Sequence, residues 1–241
     1  MLKEAIEKLV ALAAPTTYKI GDNTFSSNKL TEIVPAIPAP ENIHLYSLDG
    51  IVRAIESEID LVEAPVFVQI SGWAKVDVFT VMSPEKRYTR QNLYSAHPAD
   101  LPHFAPGQYM DFEAAMIALR SIFSENEGTA YLLDILSRIT DENSVTSTDN
   151  GVTQTVEARK GIAMVGREPL KPRVALQPYR TFLEVEQPKS EFLVRVREGG
   201  QIAFFEADGG MWKLQARQTI KAYLDERLRK LIETRKVVVM V

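Results

Sequence analysis

The chain has 241 residues, of which 45% are hydrophobic and 25% charged, and a chain of this size can bury enough apolar surface to fold without disulfides or metals. It contains no cysteine, which excludes disulfides, thiolate zinc sites, iron–sulfur clusters and cysteine nucleophiles. The net charge of −4 argues against a general nucleic-acid binder, but residues 1–150 contain 11 basic and 21 acidic side chains, whereas residues 151–241 contain 17 and 11. This division is compatible both with an anionic partner for the basic half and with attraction between the two halves.

Residues 1–41 are predicted to form an N-terminal helix and an extended arm. Leu2, Ile6 and Leu9 recur at helical spacing among charged residues, which indicates an amphipathic helix rather than a signal peptide. The following segment contains IVPAIPAP, whose prolines favour an extended chain. No apolar run reaches the length of roughly 20 residues that a membrane span needs, so we expect a cytoplasmic protein with no membrane partner.

Residues 42–148 are predicted to combine helices with a small hairpin. Ser47 precedes an apolar pattern of helical period and is expected to cap that helix. Residues 64–72 and 75–82 alternate as paired strands around Gly72, and residues 83–107, with four prolines, are expected to form a long irregular loop. Apolar faces over residues 112–123 and 131–139 indicate an antiparallel pair of helices.

Residues 149–241 are predicted to be rich in strands and to end in a long helix. The strands are expected over residues 152–159, 162–165, 174–176, 182–185, 191–197 and 201–206. The last two form a hairpin around Gly199 and Gly200, and an exposed edge at residues 191–197 would favour oligomer pairing. A helix over about 211–234 closes the region, and VVVMV follows as a further strand. The fold class is therefore α+β, and residues 42–148 and 149–241 could form one continuous domain.

The usual catalytic and metal-binding motifs are missing from the sequence. His97, Asp100 and His103 occur in the proline-rich loop, but nothing in the pattern fixes them as metal ligands. The sequence has neither GxSxG nor GxxxxGK[ST], so we expect no catalytic residue, metal or cofactor of those kinds. Glu206 and Asp208 could bind Mg²⁺ or act as an acid–base pair, although the glycines after Asp208 favour a turn-capping role.

Basic and aromatic side chains in the second half form the main candidate site. Arginine forks suit phosphate, and exposed aromatic rings suit stacking with bases. The alternative is a solvated sheet face whose arginines pair with Glu184, Glu186 and Glu191, with the aromatic rings in the core. The candidate binding residues are Tyr179, Arg180, Phe182, Glu184, Gln187, Arg195, Arg197, Asp208 and Trp212. Turns at the prolines and glycines are expected to bring Arg180, Glu184 and Arg195 near Asp208.

Three strings, DNGVTQTVEARKG (149–161), PYRTFLEVEQPKSEFLVRV (178–196) and EADGGMWK (206–213), resemble those of the YfdQ-like family of uncharacterised phage and prophage proteins. The resemblance implies a temperate-phage accessory protein and carries over no catalytic residues. It marks further positions as loose candidates, namely Gln154, Thr181, Pro188, Ser190, Phe192, Glu206 and Gly209.

Three functional hypotheses follow from the sequence. The leading one is a non-enzymatic, homo-oligomeric phage accessory protein that binds an anionic partner through its basic half. That partner would be single-stranded nucleic acid, a nucleotide signal or a host defence protein. The second is a metal-dependent enzyme acting on nucleic acid or nucleotides through Glu206 and Asp208. The third is a structural or assembly protein whose arginines hold subunits together.

Overall fold

The computed structural model describes residues 2–14, 16–20, 23–26, 41–62, 65–82, 89–140, 144–149, 154–160, 163–197 and 199–241. They belong to two compact units, Met1–Pro40 and Glu41–Val241. In the first unit, α1 (Leu2–Ala13) precedes an antiparallel hairpin of β1 (Thr17–Ile20) and β2 (Asn23–Ser26), which confirms the predicted helix. The proline-rich part of the predicted arm, residues 27–40, lies outside the described residues. None of the helices in the described ranges is long and apolar enough to cross a membrane.

The second unit contains, among its described residues, five helices and twelve strands, which confirms the predicted α+β class. The helices are α2 (Leu48–Glu58), α3 (Phe112–Ser121), α4 (Glu127–Thr140), α5 (Trp212–Arg227) and α6 (Arg229–Glu233). The strands are β3 (Ile43–Leu45), β4 (Val66–Gly72), β5 (Lys75–Phe79), β6 (Asn92–Ala96), β7 (Met110–Asp111), β8 (Ser144–Asp149), β9 (Gln154–Lys160), β10 (Ala163–Leu170), β11 (Arg173–Leu176), β12 (Ser190–Arg197), β13 (Gln201–Glu206) and β14 (Val237–Met240).

A five-stranded sheet of order β14-β4-β5-β6-β3 buries one face against α2 and α5. Its three middle strands pair antiparallel, whereas β14 and β3 pair in parallel at its two edges. Val66, Val68 and Ile70 alternate along β4 with less buried residues, as expected for a strand with one buried face. The Ser47 side chain accepts a hydrogen bond from the backbone N–H of Gly50, which confirms the predicted cap of α2. The antiparallel pairing of β4 and β5 confirms the predicted hairpin around Gly72.

A four-stranded antiparallel sheet has the order β11-β12-β13-β7 and packs against α3 and α4. The buried face of β12 carries Phe192, Val194 and Val196, because alternate residues of a strand point to the same side. Gly199 and Gly200 have φ angles of 81° and 73°, which suits the tight turn predicted between β12 and β13. A third sheet, of order β10-β9-β8, is also antiparallel.

Elements from both the early and the late part of the chain contribute to each of the two larger sheets and their packed helices. The first core includes Ile220 and Leu224 of α5 and Val237 of β14, which pack with residues of α2 and β4. The second core joins α3 and α4, including Leu132 and Leu136, to the later strands β11 to β13. Each core therefore combines residues from before and after position 148.

Three sequence predictions about elements are wrong. The predicted loop 83–107 contains β6, whose backbone is paired by β5 and β3 despite the prolines around it. The polar segment 144–149, where the sequence predicts no strand, forms β8, because β9 supplies its pairing. Residues 182–185 form a turn rather than a strand. Residues 191–193 are covered by β11 on one side of β12, and residues 192–197 pair with β13 on the other, so the first half of the segment is not an exposed edge.

Candidate binding cleft lined by two tryptophans

The loop between β11 and β12, residues 177–189, carries most of the candidate residues and is tied to neighbouring elements through its backbone. Ser124 N–H donates to the carbonyl of Gln177 at 2.9 Å, and Tyr179 N–H donates to the carbonyl of Ile122 at 2.9 Å. Thr181 is fully buried, and its hydroxyl donates to the carbonyl of Trp73 in the turn between β4 and β5. The loop therefore links the end of α3 to the five-stranded sheet.

Gln187 determines the course of this loop through its side-chain amide. Its Oε1 accepts from the backbone N–H groups of Arg180 and Thr181 at 2.9 and 3.2 Å. Its Nε2 donates to the carbonyls of Phe182 and Val185 at 3.0 and 3.3 Å. Because Gln187 is buried and uses both ends of its amide on backbone groups, its role is to hold the turn, and this is why residues 182–185 do not form a strand.

Arg180 is buried beneath the cleft and held by several partners. Its Nη1 donates to Glu206 Oε1 at 2.5 Å, and its Nη2 donates to the hydroxyl of Ser190. The Ser190 hydroxyl in turn donates to Asp208 Oδ2 at 2.7 Å. The guanidinium also stacks on the Trp212 ring, with Cζ at 3.9 Å from the ring centre. These contacts form the Arg180 network, which comprises Arg180, Ser190, Glu206, Asp208 and Trp212.

The pKa values of Arg180 and Asp208 reflect this burial and pairing. Burial lowers the pKa of Arg180 to about 10, although the charges of Glu206 and Asp208 oppose the change, so the guanidinium stays protonated at neutral pH. Burial alone would raise the pKa of Asp208, but the pKa is lowered overall by hydrogen bonds from Ser190 and the Gly210 N–H, by the charge of Arg180 and by the Trp212 backbone. Asp208 thus caps the turn before α5, as its following glycines predict.

Two tryptophan rings meet beside Arg180. Trp73 and Trp212 lie edge to face, with ring centres 5.6 Å apart. The Lys213 ammonium lies 4.8 Å from the centre of the Trp73 ring and 5.6 Å from that of the Trp212 ring. Trp212 is buried, whereas Trp73 is 43% exposed. Arg180 Nε and Trp212 Nε1 are buried and have no hydrogen-bond partner within the described ranges.

These side chains form one wall of an open cleft with a volume of about 510 Å³, which we call the tryptophan cleft. The proline-rich loop before β7 contributes further lining residues. The lining residues are Trp73, Leu101, Pro102, His103, Phe104, Pro106, Tyr179, Arg180, Glu206, Trp212 and Lys213. The cleft is therefore mainly aromatic and apolar with a few polar groups, which is the usual character of a small-molecule site.

The structure brings only part of the predicted candidate set to this cleft. Tyr179, Arg180 and Trp212 line it, while Asp208 and Gln187 support it from behind. The remaining candidates lie elsewhere. They are Phe182, Glu184, Arg195 and Arg197.

Each of these four has another environment. Phe182 is fully buried in the first core. Glu184 is expected from the sequence beside Arg180 and Asp208, but it accepts from the N–H of Leu48 at 2.7 Å, at the start of α2. Arg195 and Arg197 share the sheet face opposite the core, as predicted, and Arg197 stacks on the Tyr109 ring at 3.6 Å.

Trp73 and Lys213 were missed as candidates from the sequence. Trp73 stands in a two-residue hairpin turn, where a large aromatic side chain has no strand face to bury and is a signal for an exposed contact. Its approach to Trp212 depends on a tertiary contact across more than a hundred positions of the chain, which no local pattern contains. Lys213 follows Trp212 directly, but its position over Trp73 depends on the same contact.

The carboxylates of the second hypothesis are already engaged. Glu206 accepts from Arg180, and Asp208 accepts from Ser190 and from Gly210 N–H at 3.0 Å. In the part of the chain that the structure describes, no three His, Asp or Glu side chains form a group that could hold a metal ion. The arrangement therefore favours a structural role for both carboxylates.

Comparisons of the chain with protein-family models, with curated proteins and with solved structures found no match. The resemblance to the YfdQ-like family consequently stays a prediction from the sequence.

Proposed function

We propose that this protein is a non-catalytic binding protein whose tryptophan cleft holds a planar anionic ligand. The chemistry is that of a base stacked on an aromatic ring with a phosphate beside it, as a nucleotide or a single-stranded nucleic acid would present. The observation that carries the proposal is the exposed ring of Trp73 next to Lys213 in an open cleft of about 510 Å³.

The side chains in the cleft have separate roles in this proposal. Trp73 offers a ring face for stacking, since every base has a π-face that an aromatic side chain can contact. The ammonium of Lys213 is positioned to meet a phosphate.

Arg180 changes its role relative to the sequence-based hypothesis. Its guanidinium is 9% exposed and already bonded to Glu206 and Ser190, so it is occupied within the protein. We propose that Arg180 positions Trp212 and that Lys213 contacts the anion. This arrangement keeps the binding hypothesis, but the cation that contacts the ligand is Lys213 rather than Arg180.

The resemblance to the YfdQ-like family supports a phage or prophage accessory protein acting in the host cytoplasm. Within that setting we propose a homo-oligomer whose ligand is a strand exposed during recombination, or a nucleotide signal. The alternative partner is a host defence protein. This alternative would be favoured if neither ATP nor the oligonucleotide bound in the experiment below.

The test uses the intrinsic fluorescence of the protein, because both of its two tryptophans lie in the cleft. The full-length protein is titrated with ATP and, separately, with an oligothymidine. We expect quenching by at least one of them, and for the oligonucleotide an affinity that falls as salt rises, because phosphate contacts release counterions. Absence of quenching and of calorimetric heat with both ligands would refute the proposal.

Variants locate the binding within the cleft. We expect Trp73→Ala to weaken binding by roughly tenfold to a hundredfold, since stacking of one base contributes about 1–3 kcal/mol. Trp73→Phe should keep most of the affinity. Lys213→Ala should weaken binding, whereas Lys230→Ala, an exposed lysine on α6, is the matched control and should not. Equal affinity of all four variants would exclude the tryptophan cleft as the site.

A further inference from the structure

The strand β14 forms an edge of the five-stranded sheet. Among the described residues it pairs only with β4, in parallel, so its other edge carries unpaired backbone groups. The strand reads VVVM, with no charge or proline to discourage pairing, and Val238 is 38% exposed. Exposed apolar edges of this kind are templates for pairing with another chain unless they are covered.

A groove with a volume of about 610 Å³ runs between β14 and the outer side of α5 and α6. Five of its lining residues are charged. One is Arg235, which follows α6, and the other four alternate in sign and recur every fourth position. They are Lys221, Asp225, Arg229 and Glu233. Lys221 and Asp225 form an ion pair within the chain, while Arg227 turns away from the groove to Asp49 on α2.

The order of these four charges is such that two antiparallel copies of the series place opposite charges beside each other. When two copies of the α5–α6 segment lie antiparallel around a two-fold axis near position 227, Lys221 faces Glu233 of the other copy and Asp225 faces Arg229. All four contacts then join opposite charges. An unrelated peptide has no reason to match this series, whereas a second copy of the chain matches it by symmetry.

We propose that a second copy of this chain docks on this surface, with the two β14 strands paired antiparallel. A two-fold axis perpendicular to the sheet joins the two five-stranded sheets edge to edge and places the α5–α6 segments antiparallel on the same face. Antiparallel pairing of the strands and the sign pattern of the helices each require a two-fold axis. The surface is separate from the tryptophan cleft, so the proposal is independent of the ligand.

The first measurement is the mass of the full-length protein in solution by light scattering and sedimentation over a dilution series. We expect a dimer. Asp225→Arg and Arg229→Asp are then tested singly, since each places two pairs of like charges across the axis. Each single variant should raise the dissociation constant roughly 100-fold or more, as two contacts are reversed in each dimer.

Mixing the two variants is the decisive step. In a mixed dimer, each position 225 faces a position 229 of opposite charge, so we expect the dimer to return only when both variants are present. A folding defect cannot be repaired by mixing, and circular dichroism confirms that each variant is folded. Val238→Lys, which protects the strand edge, should also give a monomer, and no mixing with the charge variants should restore it.

Three outcomes would overturn the proposal. A monomeric wild-type protein would show that the edge is left free or is covered by other residues of the same chain. A dimer that is insensitive to both charge variants would place the interface elsewhere. Loss of the dimer in both variants without recovery on mixing would exclude the antiparallel arrangement of α5 and α6.

Discussion

At the scale of single residues, Arg180 shows how a side chain suited to phosphate can become part of the architecture. Its guanidinium is enclosed by Glu206, Ser190 and the ring of Trp212. Removing water from a charge is costly, and the cost is offset only when hydrogen bonds and opposite charges replace the lost hydration. Arg180 has both, so its loss would leave Glu206 and Asp208 close together without their cation.

Arg180→Ala should therefore destabilise the protein rather than only weaken ligand binding. Removing one member of a buried ion pair costs about 3–5 kcal/mol, because the remaining charge stays buried and unpaired. We expect about 3 kcal/mol from urea unfolding at neutral pH, since Glu206 is partly exposed. Arg53→Ala removes an arginine from an exposed pair with Asp49 and should change the stability by less than about 0.5 kcal/mol.

The difference in stability between the wild type and Arg180→Ala should depend on pH. The pKa of Asp208 is lowered in the folded protein, so its ionised form adds stability above the ordinary aspartate pKa of about 3.9 and this stability is lost as the pH falls through the folded value. The difference between wild type and Arg180→Ala should therefore shrink in acid. A difference that is unchanged between neutral pH and pH of about 3 would contradict the assignment of Asp208 to the Arg180 network.

At the scale of elements, the sequence predicts those structures that local periodicity determines. The cap at Ser47, the helical pair α3 and α4 and the turn at Gly199 and Gly200 all follow from patterns a few residues long. The strand β6 does not, because its pairing comes from β5 and from β3, which lies some fifty positions earlier. Likewise, the turn at residues 182–185 depends on the amide of Gln187, which no periodicity reveals.

The candidate site follows the same rule. Tyr179, Arg180 and Trp212 could be selected from the sequence because residue type alone marks them. Their environments could not be predicted, since the contact between Trp73 and Trp212 joins a hairpin turn to the start of a distant helix. For the same reason, the burial of Arg180 and the use of Glu184 at the start of α2 could not be foreseen.

The loop of residues 177–189 connects the two cores, and Phe182 is its anchor in the first one. Phe182 is fully buried there, while its neighbour Leu183 is 66% exposed. Phe182→Ala should lower the free energy of unfolding by about 3–5 kcal/mol, because a large buried ring is replaced by a cavity. Leu183→Ala is the matched control and should change it by less than about 0.5 kcal/mol. Similar effects of the two substitutions in urea unfolding would show that the loop does not depend on this anchor.

At the scale of the second unit as a whole, the crossing of the chain couples the two cores. The last helix and strand belong to the core formed by the early strands, and the middle helices belong to the core formed by the late strands. Neither core can be completed by a continuous piece of the chain. Separate unfolding of one core would break the path of the chain through the other, so the two are expected to lose structure together.

This coupling predicts one cooperative transition for residues 41–241. Leu136→Ala in the second core and Ile70→Ala in the first should each lower the urea midpoint, and tryptophan fluorescence and far-ultraviolet circular dichroism should report the same midpoint in both variants. The fluorescence originates from Trp73 and Trp212, which belong to neither core, whereas the dichroism follows all helices and sheets. Leu136→Ala could instead lower the urea midpoint seen by circular dichroism and leave the midpoint seen by fluorescence unchanged. That result would show that the two cores unfold independently and that the path of the chain does not couple them.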